Sequence, residues 1–181
     1  YNSGDFSQPI NQISDIDLYG DNIYITTDLG VLVADFNNTN LNFNSSWSVI
    51  PFDAFIDGLE VLFIHRNDSG FYLITQDSIY FCSTDFISNL ILELNSEPID
   101  IKDNTQSPLF CTITDCYLLH EFDYEILYSS QDLFYINDYY KLNSDLFFAI
   151  KNGGLAKLDL NSNNIEHFIP NTLLKNKYDA I

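Results

Sequence analysis

Residues 13–36, ISDIDLYGDNIYITTDLGVLVADF, carry apolar and polar positions in three short runs broken by glycine and aspartate. Ile13–Tyr19, Asn22–Thr26 and Gly30–Phe36 read as strands, with Gly20-Asp21 and Asp28-Leu29-Gly30 as the turns. The pattern then returns. Tyr24–Val33 aligns without a gap to Tyr72–Phe81, Phe110–Leu119 and Phe148–Lys157. Each copy opens on an aromatic residue, and a small residue (Gly30, Ser78, Cys116, Gly154) follows each turn.

A fourth strand follows in every copy, over 46–50, 91–94, 124–128 and 164–169. Four-stranded units that recur roughly every 40 to 50 residues are the signature of β-propeller blades. The expected fold is therefore all-β: a β-propeller with four four-stranded antiparallel blades, over about 13–50, 58–94, 97–129 and 132–170, in one propeller domain. An antiparallel sandwich is the alternative that strand spacing alone would allow. The middle strands, 23–26, 72–75, 110–113 and 148–151, are expected to be buried on both faces, because neighbouring blades cover each sheet. Glu60–Ile64 reads as the inner strand of the second blade, and Asn152-Gly153 as a two-residue hairpin turn. The tail Lys177–Ile181 echoes Pro51–Phe55, the lead into the second blade, so the chain is expected to be part of a larger ring. It contains no Met, which is expected of a processed or excised polypeptide.

Charge narrows the partners. There are 26 acidic and 7 basic residues, a net −19. Arg66 is the only basic residue before Lys102. Nucleic acid is excluded as a partner, since phosphate contacts need clustered cations. An anionic membrane is excluded for the same reason. No apolar run is long enough to span a bilayer. A protein partner of basic character, or a place in a larger assembly, fits the acidity.

Candidate chemistry is sparse. Asp28, Asp77 and Asp115 recur at the second-to-third-strand hairpins and form a candidate acidic binding rim; turn formation also explains aspartate there. Asp15, Asp17 and Asp21 lie near an inner strand without calcium-loop spacing. His65, His120 and His167 fall on different strands and are not expected to share a metal. Serine and histidine occur without a nucleophile motif. Neither a cofactor nor a catalytic residue is expected. With Thr114-Asp115 as the turn, Cys111 and Cys116 would sit diagonally; buried thiols are favoured over a disulfide.

The first blade also carries a family likeness. Ile13-x-x-Ile16, Gly20–Thr27, Gly30-Val31-Leu32-Val33-x-Asp35 and then Trp47-Ser48 resemble the repeat of two-component-regulator-type propellers. The fourth blade keeps Gly154-Leu155 and Asp159, whereas Ser78 and Cys116 replace the glycine in blades two and three. The resemblance implies an extracytoplasmic propeller of bacterial sensor or surface proteins, acting by binding and not by catalysis. An intracellular scaffold propeller is the alternative. A second is a hydrolase or lyase whose active residues lie in other blades.

Overall fold

The computed structural model describes residues 10–28, 30–52, 59–102, 107–129, 135–151 and 153–168. The lead-in over 1–9, Asn152 and the two echoing segments 53–55 and 177–181 lie outside them. Sixteen strands form four antiparallel meanders, each in simple sequence order. Blade one holds β1 (Ile13–Tyr19), β2 (Asn22–Thr27), β3 (Gly30–Asp35) and β4 (Ser48–Val49). Blade two holds β5 (Phe63–Arg66), β6 (Gly70–Ile74), β7 (Ser78–Ser83) and β8 (Ser88–Glu93). Blade three holds β9 (Pro98–Lys102), β10 (Leu109–Thr112), β11 (Asp115–Leu119) and β12 (Tyr124–Ser129). Blade four holds β13 (Ile136–Leu142), β14 (Asp145–Ile150), β15 (Gly154–Asp159) and β16 (Asn164–Phe168). Among the described residues the helical structure is one 3-10 turn, Asn44–Ser46.

The core lies between the sheets, in three layers. Tyr24, Val31, Ile64, Phe71 and Leu73 join blades one and two. Tyr72, Ile74, Phe81, Phe110 and Leu119 join two and three. Leu109, Cys116, Tyr139, Leu146 and Phe148 join three and four. The first strands meet on the inner side, β1 against β5, β5 against β9 and β9 against β13. This is a propeller arrangement, in which each sheet buries both faces on its neighbours.

Several details differ from the sequence reading. The inner strand of blade two is Phe63–Arg66, further along than Glu60–Ile64. The fourth strand of blade one shrinks to Ser48–Val49, because the Trp47 indole N–H is drawn 2.7 Å from the Leu41 carbonyl by the preceding loop. Tyr24 and Tyr72 face the following blade, but Phe110 and Phe148 face the preceding one. The ungapped repeat is thus out by one residue in blades three and four. Leu109 and Phe147 are the true counterparts of Tyr24.

The hairpins set that register. Thr27, Thr75 and Thr112 are buried, and each hydroxyl donates to the carbonyl three residues on, at 2.8, 3.2 and 3.4 Å. Thr112 Oγ1 also accepts from the Thr114 and Asp115 amides, so the turn is Ile113-Thr114 and not Thr114-Asp115. Cys111 therefore stands directly opposite Cys116, and the two form a disulfide instead of the expected thiols. Ile150 replaces the threonine in blade four. There three residues separate Ile150 from its partner Gly154, instead of two, and Gly154 takes φ +84°.

Blade four has one uncovered face among the described residues, whereas on blade one the exposure lies on the inner strand: Ile25 and Leu32, in register beside Ile16, are buried. Ile16 and Leu18 of blade one are 57% and 58% exposed. Tyr140 and Leu142 of blade four are 63% and 51% exposed. The middle strand of blade four consequently alternates, with Ala149 exposed between buried Phe148 and Ile150. The expectation of burial on both faces fails there because no sheet covers the far side.

Candidate functional site

The inner strands converge on a set of carboxylates. Asp15, Asp100 and Asp138 occupy one equivalent position in blades one, three and four, opposite Thr26, Cys111 and Ala149. Each follows an irregularity in strand pairing, where Ser14, Ile99 and Asn137 are skipped. Such a bulge re-aims the next side chain. Each aspartate accepts the amide of the next residue at 2.8 Å. In blade two Phe63 holds the place.

These groups link blades. The second Asp15 oxygen accepts the Ile64 amide at 2.9 Å, and Asp17 accepts the Arg66 amide at 2.6 Å. The His65 Nδ1 lies 3.6 Å from Asp17. Between blades three and four, the Lys102 ammonium donates to Asp138 and to the Tyr139 carbonyl, both at 2.7 Å. It lies 3.7 Å from Asp100 and 4.4 Å above the Tyr139 ring. The Tyr139 hydroxyl donates to the carbonyls of Asp100 and Leu109, both at 2.8 Å.

Burial pushes the Asp15 carboxyl above the usual carboxylate range, against the amides of Ile64 and Ile16 that favour its charge. Burial also raises Asp100, with Asp15 and Asp138 adding to the rise and Lys102 opposing it. Asp138 is lowered, because Lys102 donates to it. Among the described residues no three His, Cys, Asp or Glu side chains come together to hold a metal ion.

The expected acidic rim is used locally. Asp28 accepts the Asn11 side-chain amide at 2.9 Å and its backbone N–H at 3.2 Å. Asp77 accepts the Thr75 hydroxyl at 2.9 Å. Asp115 accepts the hydroxyls of Thr114 and Ser129, both at 2.5 Å. All three sit at second-to-third-strand hairpins, as read from the sequence; Asp77 and Asp115 bond hydroxyls of their own turns, whereas Asp28 holds Asn11 of the preceding segment.

The opposite rim carries features the sequence reading missed. At or just past the end of the third strand in blades one, two and three stands an acid followed by an aromatic: Asp35-Phe36, Asp85-Phe86 and Glu121-Phe122. A cavity of about 320 Å³ lies between blades one and two, lined by Asn22, Tyr24, Asp35, Phe71 and Phe86. A second, about 430 Å³, lies between blades two and three, lined by Asn67, Tyr72, His120, Glu121, Phe122 and Asp123. Ser107 there lies 3.1 Å from His120 Nδ1, a pairing the sequence did not reveal. Among the described residues no carboxylate is hydrogen-bonded to the other ring nitrogen, so the third member of a nucleophile–base chain is not in place.

No protein-family model matches the sequence, and no curated protein matches it. Solved structures do. PorZ, an essential surface component of the type-IX secretion system of Porphyromonas gingivalis, aligns with a TM-score of 0.69 at 14% identity over 88% of this chain and 21% of its own. The extracellular domain of the putative one-component system BT4673 of B. thetaiotaomicron aligns with a TM-score of 0.64 at 11% identity, over 92% and 23%. YCF48, solved bound to D1 peptide, aligns with a TM-score of 0.62 at 13% identity, over 87% and 54%. The chain thus spans about a fifth of the first two. At these identities the likeness is one of fold. It extends to three dimensions the resemblance of the repeat to two-component-regulator-type propellers.

Proposed function

We propose that this chain is a run of blades from a larger extracytoplasmic propeller, which senses or scaffolds by binding a protein ligand of basic character and performs no chemistry of its own. The observation that carries the reading is the uncovered face of blade four, where Tyr140 and Leu155 are exposed. Phe147 on blade four stands where Tyr24, Tyr72 and Leu109 are covered by a following blade. A sheet face of that composition is built for another blade. The inner carboxylates support a non-catalytic role, because they are occupied by backbone amides and Lys102. The net charge of −19 favours a cationic ligand. Extracellular neighbours and a peptide-bound one support the location and the binding role.

Protease treatment of intact native cells tests the location. Digestion of the protein while cytoplasmic markers survive is the expected result; full protection of the protein in cells permeabilised only at the outer surface would overturn it. Turnover of a glycan, ester or peptide, abolished by Asp28→Asn, Asp77→Asn or Asp115→Asn without unfolding, would overturn the non-catalytic part.

A further inference from the structure

We infer that the cleft between blades two and three, on the rim of the third-to-fourth-strand turns, is the seat for a basic side chain of a peptide ligand. This rests on the reading of a basic protein partner above, but it places that partner on the rim opposite Asp28, Asp77 and Asp115.

The cleft is formed by the β5–β6 turn on one side and the β11–β12 turn on the other. Tyr72 forms its floor and is itself buried. Burial, with Glu121 adding, pushes the Tyr72 hydroxyl up to about 12, so it stays protonated and can donate. Phe122 is 70% exposed. Its ring is nonetheless braced edge-to-face on buried Phe81 of the neighbouring blade, with centroids 5.7 Å apart. An exposed aromatic fixed in this way holds its conformation before any ligand arrives, which lowers the ordering cost of binding. Glu121 and Asp123 flank it. Among the described residues neither makes an ion pair.

The chain's own cations show what such a combination accepts. The Arg66 guanidinium lies 5.0 Å from the Tyr19 ring and 4.6 Å from the Phe71 ring, and Tyr19 is hydrogen-bonded to Asp68. Lys102 lies over Tyr139 beside Asp138. In both places a cation rests on an aromatic face with a carboxylate close by, the arrangement in which cation–π attraction and charge pairing add. Phe122, Glu121 and Asp123 present the same two components to solvent. Asp35 with exposed Phe36 repeats them along the rim, and exposed Asp85 adds a further carboxylate beside half-buried Phe86, so an extended peptide with spaced arginines is the ligand class that fits.

The test is fluorescence anisotropy of a labelled glycine–serine peptide bearing two arginines, with the citrulline version as the uncharged control. The wild-type chain is expected to bind the arginine peptide and not the citrulline one. Phe122→Ala should weaken binding about threefold, and the pair Glu121→Gln with Asp123→Asn about fivefold. Asp28→Asn with Asp77→Asn removes equal charge from the other rim and should change binding less than about twofold. Thermal unfolding of each variant shows that the fold is kept. Equal losses from both rims, or a larger loss from the Asp28 and Asp77 pair, would overturn the cleft while leaving a basic partner in place. Failure of the wild-type chain to prefer arginine over citrulline would overturn both.

Discussion

The Asp15 carboxylate accepts the amide of Ile64 at 2.9 Å, tying the inner strand of blade one to that of blade two across 49 residues of chain. The bond is formed by a half-buried group whose charge is disfavoured by desolvation. A folded-state carboxyl raised above its ordinary value contributes stability that is complete at low pH and fades as pH rises through the raised value. Unfolding temperatures measured from about pH 4 to 7 should therefore fall less steeply with pH in Asp15→Asn than in the parent. Parallel curves would show that Asp15 does not carry this dependence.

Phe148 and Phe147 make a sharper contrast. Phe148 is fully buried in the layer between blades three and four, whereas Phe147 points to the uncovered side and is only half-buried. Phe148→Ala should cost about 3 to 5 kcal/mol, and Phe147→Ala less than about 2 kcal/mol, in proportion to the area it buries. Denaturant unfolding of the two variants gives the comparison. Equal losses would mean that the far face of blade four is covered in the chain alone.

The same pair shows where the sequence was legible. Sheet count and strand order followed from turn residues and period. Register did not, because β6 and β10 are buried on both faces and lack the alternation that distinguishes one face from the other. A slip of one residue replaced Leu109 with Phe110, and Phe147 with Phe148, at no visible loss of pattern. Asp100 and Asp138, and their equivalence to Asp15, were missed for a related reason. Bulges displace them, and Phe63 breaks the series in blade two. The acid–aromatic turns were hidden by connections of unequal length.

Register also decides the cysteines. Cys111 and Cys116 are directly opposed and disulfide-bonded, and Cys82 is buried outside the bond. The loop between them is short, so reduction should cost about 2 kcal/mol on the chain-entropy account. Denatured, unreduced protein should titrate one thiol, and reduced protein three, matching the three cysteines of the chain. Three thiols without reductant would exclude the bond.

Gly70 marks a close approach between strands. A Cβ there would run into the Cys82 carbonyl oxygen and sit 2.8 Å from Cζ of Phe81. The carbonyl belongs to the paired β7 backbone and cannot swing aside. Gly70→Ala should destabilise by about 1 to 3 kcal/mol, the range for overpacking. A change within about 0.5 kcal/mol would show that the two strands part freely at this point.

Asp138 should respond to pH in the opposite sense to Asp15. Lys102 holds its carboxyl below the usual range, so the stability it contributes is present above the ordinary carboxylate value and is lost as pH falls through the lowered one. Its side chain is 68% exposed, and solvent screens the pair. Asp138→Asn should therefore cost no more than about 1 kcal/mol at neutral pH, and nothing measurable once the parent's carboxyl is protonated. Lys102→Met should cost more, because it also removes the donor to the Tyr139 carbonyl and leaves Asp100 with only carboxylates for charged neighbours. Paired pH series of the two variants would check this. If Asp138→Asn lost as much stability as Lys102→Met, the ion pair itself, and not the ammonium's place between blades three and four, would be the link that matters.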